Sequence, residues 1–148
     1  MSRVLRRGFA MAVIAASHAV LVLAAQPTGA AQDTAAVQRG EQIRGEQIYA
    51  RCAACHAIEG NRTGPQHCGL FGRRAGTAPG FDGYSQALRE SRIVWNERTL
   101  DTFLQDPLRA VPGTTMGYAG VKDPRERTDL IGWLRQASAA GTTCTPAR

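Results

Sequence analysis

The chain has 148 residues, of which 43% are hydrophobic and 20% charged, and this length is that of one domain. It carries 18 basic and 12 acidic residues, a net charge of +6, and Lys122 is the only lysine. A nucleic-acid-binding protein needs a denser basic patch than this composition offers, so this class is excluded.

The first 31 residues have the layout of a secretory signal peptide. Three arginines near the N-terminus precede an apolar run over 10–25, and small residues follow at 29–31, so we predict cleavage after Ala31. The alternative is an uncleaved anchor, but the run is shorter than the roughly 20 apolar residues of a membrane span. The predicted organisation is therefore a cleaved signal peptide over 1–31 and a periplasmic domain over 32–148. This domain keeps 15 basic and 12 acidic residues, a net charge of +3, and no stable membrane insertion is expected.

The exported part is predicted to contain four helices separated by long loops. The helices are expected at Val37 to about Ala54, at Ser85–Ser91, from the N-cap Asn96 to Leu104, and from the N-cap Asp123 to the stop signal Gly141. The loops, rich in glycine or other turn residues, are 60–83 and 109–121. Residues 32–38 are small and polar, and we expect them to be frayed.

The last of these helices has the clearest sequence signals. Asp123 suits the N-cap, Pro124 suits the first helical position, and an apolar face follows until Gly141. No strand of useful length is apparent, so the predicted fold class is all-α. Short helices alone bury too little apolar surface to order two long loops, and a large buried cofactor would supply the missing core.

Cys52, Cys55 and His56 form a CxxCH motif at the end of the first predicted helix. Two thiols three residues apart can add to both vinyl groups of one haem, and the adjacent histidine then lies under the iron. A thiol redox motif would need a βαβ setting, and a zinc site would need a second closely spaced cysteine pair. The sequence offers neither, so the motif predicts one covalent haem c with His56 on its iron.

A second axial ligand would distinguish an electron carrier from a haem protein with an open site. The candidates are Met116, His67 and, if the signal peptide were retained, His18. Met116 lies in a turn-rich loop that can reach the distal face of a haem, where a thioether favours ferrous iron and raises the potential. The residues by themselves leave these candidates open.

From Gly45 to about Ala137 the chain resembles the class I cytochromes c, a group that includes mitochondrial cytochrome c and small bacterial periplasmic proteins. The matching stretches, in the family's order and nearly at its spacing, are CAACH, GPQHCGLFGRRAGTAPGF, YSQA, IVW, TLDTFLQDP, VPGTTM, YAGVKD and ERTDLIGWL. The resemblance implies the cytochrome c fold, in which the N- and C-terminal helices cross and short helices and long loops surround one covalent haem. At the crossing, the missing side chain of Gly45 would let the backbone approach Leu130 and Trp133.

The resemblance also implies the residues that surround the haem. Met116 would be the distal ligand, and the carbonyl of Pro65 would accept the other ring N–H of His56. The buried haem propionate would be held by Arg73, Tyr84, Trp95 and Thr114.

The chain departs from the family pattern at positions that affect the haem and the docking surface. Phe103 stands where a tyrosine often donates to the sulfur of the axial methionine, so this hydrogen bond should be missing. Of the family's docking lysines only Lys122 remains, with Arg51 and Arg109 as substitutes, and Thr115 replaces another. These changes predict a redox partner that differs from the usual oxidase or bc1-type complex.

Two cysteines, Cys68 and Cys144, lie outside the haem motif. An oxidising compartment and an even number of cysteines favour a disulfide between them, and a reactive thiol or a metal site with His67 are the alternatives. The disulfide would close a ring of about 77 residues, for which the loop-entropy model gives roughly 4–5 kcal/mol. His67 stands where the family has a leucine, on the side of the haem expected for His56, and we interpret it as a packing residue.

These observations predict electron transfer rather than enzymatic catalysis. The chain would be a periplasmic single-haem electron carrier, with His/Met ligation, Fe(III)/Fe(II) cycling and redox proteins as donor and acceptor. Two alternatives remain. The depleted lysines suit an electron-transfer subunit of a larger periplasmic dehydrogenase rather than a free monomer. The missing tyrosine hydroxyl at Phe103 suits a haem enzyme or sensor with a labile distal ligand.

Overall fold

The computed structural model describes residues 29–139, 141 and 144, so the apolar run of the predicted signal peptide lies outside the described residues. The helices of the described part are α1 (Gly29–Tyr49), α2 (Gln86–Glu90), α3 (Glu97–Gln105), α4 (Pro107–Ala110) and α5 (Pro124–Ala137). None of them is long and apolar enough to cross a membrane. In the same residues an isolated bridge pairs Arg74 with Val94 and no strand forms, which confirms the all-α fold class.

Two of the helices begin at the caps that the sequence predicts. At α3 the side chain of Asn96 accepts from the backbone N–H of Thr99 at 3.0 Å, and the Thr99 hydroxyl accepts from the N–H of Asn96 at 2.9 Å. At α5 the carboxylate of Asp123 accepts from the N–H groups of Arg125 and Glu126 at 2.7 and 3.1 Å. These bonds satisfy N–H groups that have no partner within the helix, which explains why both helices start where they do.

The bounds of α1 differ from the prediction. The helix begins at Gly29, so the segment 32–38 is helical rather than frayed, and it ends at Tyr49, after which residues 50–55 form turns. The N-terminal half of α1 is exposed on all sides, so no apolar periodicity in the sequence marks it as a helix. The predicted cleavage site after Ala31 falls within this helix and stays a prediction.

The short helix α4 overlaps the segment 109–121, which the sequence analysis assigned to a loop. Asp106 ends α3 in an extended conformation, with φ of −162°, and its carboxylate then accepts from the N–H of Arg109 at 3.2 Å. Pro107 occupies the first helical position, where its missing N–H costs nothing. The proline that ends α3 therefore also begins α4.

The crossing of α1 and α5 is the main helix–helix contact, and α3 also packs on α5. A Cβ atom at Gly45 would lie within 3 Å of the Asp129 carbonyl oxygen and of the Trp133 Cβ, so the two backbones approach closely only because this residue is glycine. The ring of Tyr49 packs on Trp133 with centroids 4.5 Å apart, and Leu130 is fully buried beside them. The predicted crossing at Gly45 is thus confirmed.

The glycine-rich loop over 60–83 is ordered by pairing with the segment before α3. The N–H of Ala75 donates to the carbonyl of Ile93 at 2.8 Å, and the N–H of Trp95 donates to the carbonyl of Arg73 at 2.9 Å. This pairing places Arg73 and the buried Trp95 next to each other in the fold.

Candidate functional site

A cavity of about 390 Å³ opens between the turns that follow α1 and the segment 114–118. Its volume lies in the range of roughly 300–1,000 Å³ typical of small-molecule and cofactor sites. Much of the wall is apolar and is formed by Leu70, Leu88, Leu100, Phe103, Leu104, Leu130 and Leu134. The residues that the sequence analysis assigned to the haem and its iron all line this one cavity: Cys52, Cys55, His56, Pro65, Arg73, Tyr84, Trp95, Thr114 and Met116.

The CxxCH motif forms a turn that directs its side chains toward the cavity. The N–H groups of Cys55 and His56 both donate to the carbonyl of Cys52, at 3.1 and 2.9 Å. The guanidinium of Arg62 holds the turn from outside by donating to the carbonyl of Ala53 at 2.8 Å. Burial raises the pKa of the Cys52 thiol to about 11, so this sulfur is protonated at neutral pH.

His56 is held in one orientation by the carbonyl oxygen of Pro65, which lies 2.7 Å from its Nδ1. A carbonyl oxygen can only accept a hydrogen bond, so Nδ1 carries the proton and Nε2 keeps a free lone pair. Burial lowers the pKa of this histidine, which favours the neutral ring. A neutral imidazole with a free Nε2 is the form that binds a metal ion.

The glycine that precedes Pro65 makes room for the ring of His56. A Cβ atom at Gly64 would lie within 3 Å of three ring atoms, Cε1, Nδ1 and Nε2. The backbone here cannot easily move away, because the N–H of Gly64 donates to the carbonyl of Cys55 at 2.7 Å and its carbonyl accepts from the N–H of Arg62 at 2.9 Å. The sequence analysis missed this contact, although Gly64 begins the matching stretch GPQHC.

His67 packs directly against His56. The rings of His56 and His67 are stacked, with centroids 4.6 Å apart and planes 19° from parallel. The hydroxyl of Tyr49 lies 3.2 Å from the Nδ1 of His67. Burial, reinforced by the charges of His56 and Arg73, lowers the pKa of His67 to about 3, so this ring is neutral. The geometry supports a packing role for His67, as the sequence analysis interpreted it.

Arg73 braces the loop on the same side of the cavity. Its guanidinium donates to the carbonyls of Cys68 and Gln66 at 2.6 and 2.9 Å, which leaves further N–H groups for a ligand. Burial lowers the pKa of Arg73, and the nearby hydroxyl of Tyr84 acts in the opposite direction. A partly buried guanidinium at a cavity wall is suited to bind a carboxylate.

Two hydroxyl groups of the cavity wall are also placed to donate to a carboxylate. The hydroxyl oxygen of Tyr84 accepts from the N–H of Ala78 at 3.1 Å, and that of Thr114 accepts from the N–H of Met116 at 3.3 Å. In these contacts each hydroxyl oxygen is an acceptor, so its own hydrogen can be donated to another group. With Arg73 and the indole of Trp95, the cavity wall carries the donors that the carboxylates of a haem require.

Met116 reaches the cavity from a different segment of the chain than His56. Its side chain is half-buried and packs against the hydrophobic core. Phe103, which has no hydroxyl group, lines the cavity and packs on Trp95 with ring centroids 5.1 Å apart. The sulfur of Met116 therefore has no tyrosine donor at position 103.

Two of the three basic residues expected to form the docking surface, Arg51 and Lys122, are engaged in ion pairs. Arg51, at the cavity wall beside Cys52, makes a two-pronged contact with the carboxylate of Glu126, at 2.7 and 2.8 Å. This contact lowers the pKa of Glu126. Lys122 donates to the carboxylate of Asp106 at 3.2 Å. The positive charges of Arg51 and Lys122 are thus largely balanced within the chain.

The residues present fit a covalently bound haem. The cavity combines two thiols, a histidine with a free Nε2, a thioether on a separate segment, an apolar wall and hydrogen-bond donors. The described residues contain no group of three or more His, Cys, Asp and Glu side chains placed to bind a metal ion by themselves. The histidine and the thioether, which reach the cavity from separate segments, are suited to a metal held inside a macrocycle.

Comparison with known proteins agrees with this fit. The family described as cytochrome c matches residues 42–138. The chain is 47% identical over 104 residues to cytochrome c of Chlamydomonas reinhardtii, covering 68% of this chain and 92% of that protein. It is 41% identical over 127 residues to cytochrome c2 of Blastochloris viridis, covering 83% and 93% respectively. The solved structure of cytochrome cH from Methylobacterium extorquens superposes with a TM-score of 0.62 and 38% identity, over 64% of this chain and 97% of that one. The chain belongs to the cytochrome c family, as a class I c-type cytochrome that binds one covalent haem c.

Proposed function

We propose that this chain is an exported, periplasmic electron carrier whose haem iron is bound by His56 and Met116. Membership of the family makes it a single-haem electron-transfer protein. The ligand pair is supported above all by one observation, that His56 and Met116 reach the same cavity from separate segments. Of the other candidates, His67 is stacked on His56 and lies beside the hydroxyl of Tyr49, and His18 lies outside the described residues. The basic start and apolar run at the N-terminus support export.

Each group around the cavity has a part in this function. The haem, when bound, supplies an iron that takes up and releases one electron. The hydrogen bond from His56 to Pro65 fixes the ring and increases its basicity, and the thioether of Met116 favours the reduced state. The apolar wall excludes water, and retention of both ligands in both oxidation states keeps the structural change on electron transfer small.

The ligand assignment predicts a clear spectroscopic change in Met116→Ala. The variant should lose the charge-transfer band near the red edge of the ferric spectrum, which reports methionine–iron bonding. Its reduction potential should fall, because the thioether no longer favours ferrous iron. Covalent haem attachment should be unchanged, since Cys52 and Cys55 are intact. The measurements are the ferric and ferrous absorption spectra and a potentiometric titration.

A neighbouring substitution provides the control for this experiment. Thr115→Ala changes an exposed side chain next to Met116 and should keep both the band and the potential. If the band persists in Met116→Ala, methionine ligation is wrong. A high-spin ferric spectrum of the unsubstituted protein, with tight cyanide binding on mixing, would instead favour the haem enzyme or sensor with a labile distal ligand.

The paired charges near the cavity favour, as a second candidate, an electron-transfer subunit of a larger periplasmic dehydrogenase. Free shuttles use a positive field to attract acidic partners, and here Arg51 and Lys122 are balanced by carboxylates. Copurification with a dehydrogenase from native extracts supports the subunit, and a lone monomer supports the free carrier.

The same pairing predicts a weak dependence of electron exchange on ionic strength. With hexacyanoferrate as an anionic probe, the unsubstituted protein should show a shallow slope. Glu126→Gln releases the charge of Arg51, so its rate at low salt should rise a few-fold and its slope should steepen. Glu97→Gln makes the same change in net charge at a residue outside the cavity wall and is the matched control. Equal rates for the two variants would show that the Arg51–Glu126 pair does not control the field at the cavity.

A further inference from the structure

The two cysteines outside the haem motif lie together in the fold. Cys68 follows His67 in the loop beside the proximal histidine, and Cys144 lies in the tail after α5. Both are free thiols in the structure and both are buried, with 8% and 4% of their surface exposed. Neither of them lines the haem cavity.

Backbone contacts bring the C-terminal tail to this loop. The N–H of Gly69 donates to the carbonyl of the buried Ser138 at 2.8 Å. Gly141 has a φ of +89°, which suits glycine, and its N–H donates to the carbonyl of Cys144 at 3.3 Å. The thiol of Cys144 donates to the carbonyl of Ala137 at 3.7 Å. The end of α5 thus places Cys144 directly against the loop.

We propose that Cys68 and Cys144 are joined by a disulfide bond that fastens the C-terminal tail to the loop carrying His67. Two S–H bonds break and one S–S bond forms. The two protons and two electrons pass to a disulfide-containing oxidant, either a small molecule or a protein, whose own S–S bond is reduced to two thiols. The proposal rests on the export proposed above, because such oxidants persist in the periplasm. It does not depend on which residue is the distal iron ligand.

The chemical setting of the pair protects the bond once it has formed. Burial raises the pKa of the Cys144 thiol to about 12, and the neighbouring Cys68 side chain adds to this. Exchange requires a thiolate, so the bond closes most readily while the tail is still detached. After packing, the sulfurs are shielded from reductants. Cys52 and Cys55 line the cavity and are consumed by haem attachment, which keeps the two cysteine pairs chemically separate.

The bond would act on the side of the cavity that positions His56. The N–H of Cys68 donates to the carbonyl of Ile58 at 2.8 Å, and its carbonyl accepts from Arg73 at 2.6 Å. Its neighbour His67 is stacked on the ring of His56. A covalent link at Cys68 therefore restrains the loop that packs against the proximal ligand.

Intact mass measurement on the holoprotein from a periplasmic fraction tests the bond directly. The protein is denatured and treated with iodoacetamide, with and without prior reduction, and then mapped by peptides. We expect no added alkyl group without reductant and two after reduction, at Cys68 and Cys144. Two groups at these residues without reductant would overturn the disulfide. The same mass shows whether the haem is attached and residues 1–31 are removed, so a failure of export is recognised separately.

Thermal unfolding of Cys68→Ser/Cys144→Ser provides a second test. The double variant keeps the haem motif and should bind haem normally. Its Tm should be lower than that of the unsubstituted protein by on the order of 10 °C, because a long loop is no longer closed in the unfolded chain. Equal Tm values for the double variant and the unsubstituted protein, both purified without reductant, would contradict the proposal.

Discussion

Replacing Gly64 by alanine is expected to disrupt the proposed binding of His56 to the haem iron. The new methyl group would lie within 3 Å of three atoms of the His56 ring, and hydrogen bonds to Cys55 and Arg62 hold the backbone in place. The ring must then rotate or shift, which breaks its bond to Pro65 and displaces Nε2. Overpacking of this kind also lowers the free energy of unfolding by about 1–3 kcal/mol.

Absorption spectra of the ferric and ferrous holoprotein measure this effect. Gly64→Ala should show a mixed or high-spin ferric spectrum while the haem remains covalently attached through Cys52 and Cys55. Gly132→Ala is the matched control, because a Cβ atom there would meet only one side-chain atom, that of Gln42, at 3.9 Å. A normal spectrum and normal stability for Gly64→Ala would show that the ring and the loop can adjust together.

Replacing Arg127 by leucine is expected to cost about 3 kcal/mol of unfolding free energy. The guanidinium is buried, donates to the carboxylate of Asp101 at 2.7 Å and donates to the carbonyls of Val121 and Lys122 at 3.0 Å each. Val121 is itself almost fully buried, so its carbonyl would lose its partner without gaining water. The expected cost is at the lower end for a buried pair because Asp101 is partly exposed and can be hydrated.

Urea unfolding of the oxidised holoprotein measures this loss as a shift in the transition midpoint at constant slope. Arg125→Leu, two residues earlier in α5, removes an exposed arginine and should change stability by less than about 0.5 kcal/mol. Arg127→Lys keeps the charge but not the forked donor geometry, and its stability should lie between the two. A leucine variant no less stable than Arg125→Leu would mean that the segment around Val121 rearranges to bind water.

Features set by local chemistry were the ones that the sequence could predict. The capping residues Asn96 and Asp123 place the starts of α3 and α5, because a short polar side chain satisfies N–H groups in its own turn. The CxxCH spacing specifies the haem attachment, because two thiols three residues apart can reach both vinyl groups of one haem. The wall of the cavity was predicted through the resemblance, and the structure brings those residues into one cavity. Their individual roles toward the haem stay predictions.

Features set by distant contacts were missed. Arg127 has the helical spacing of the buried Leu130 and Leu134, but an arginine at such a position does not indicate its partner. Only the position of Asp101 on α3 makes it a buried link. The need for glycine at position 64 arises from a histidine eight residues earlier in the chain. The exposed half of α1 lacks the apolar periodicity by which helices are recognised, and α4 is too short to show one.

The crossing of α1 and α5 has a consequence for the order of events during biosynthesis. The chain is made from its N-terminus, and under the proposed export it would also cross the membrane in this order, so α1 and the two haem-binding thiols emerge before α5. Until α5 arrives, Tyr49 has no Trp133 to pack against, and Cys52 is not yet buried. Its thiol therefore keeps its ordinary reactivity in the nascent chain. Packing of α5 ends this interval. We therefore expect haem to be attached to Cys52 and Cys55 before α5 packs on α1.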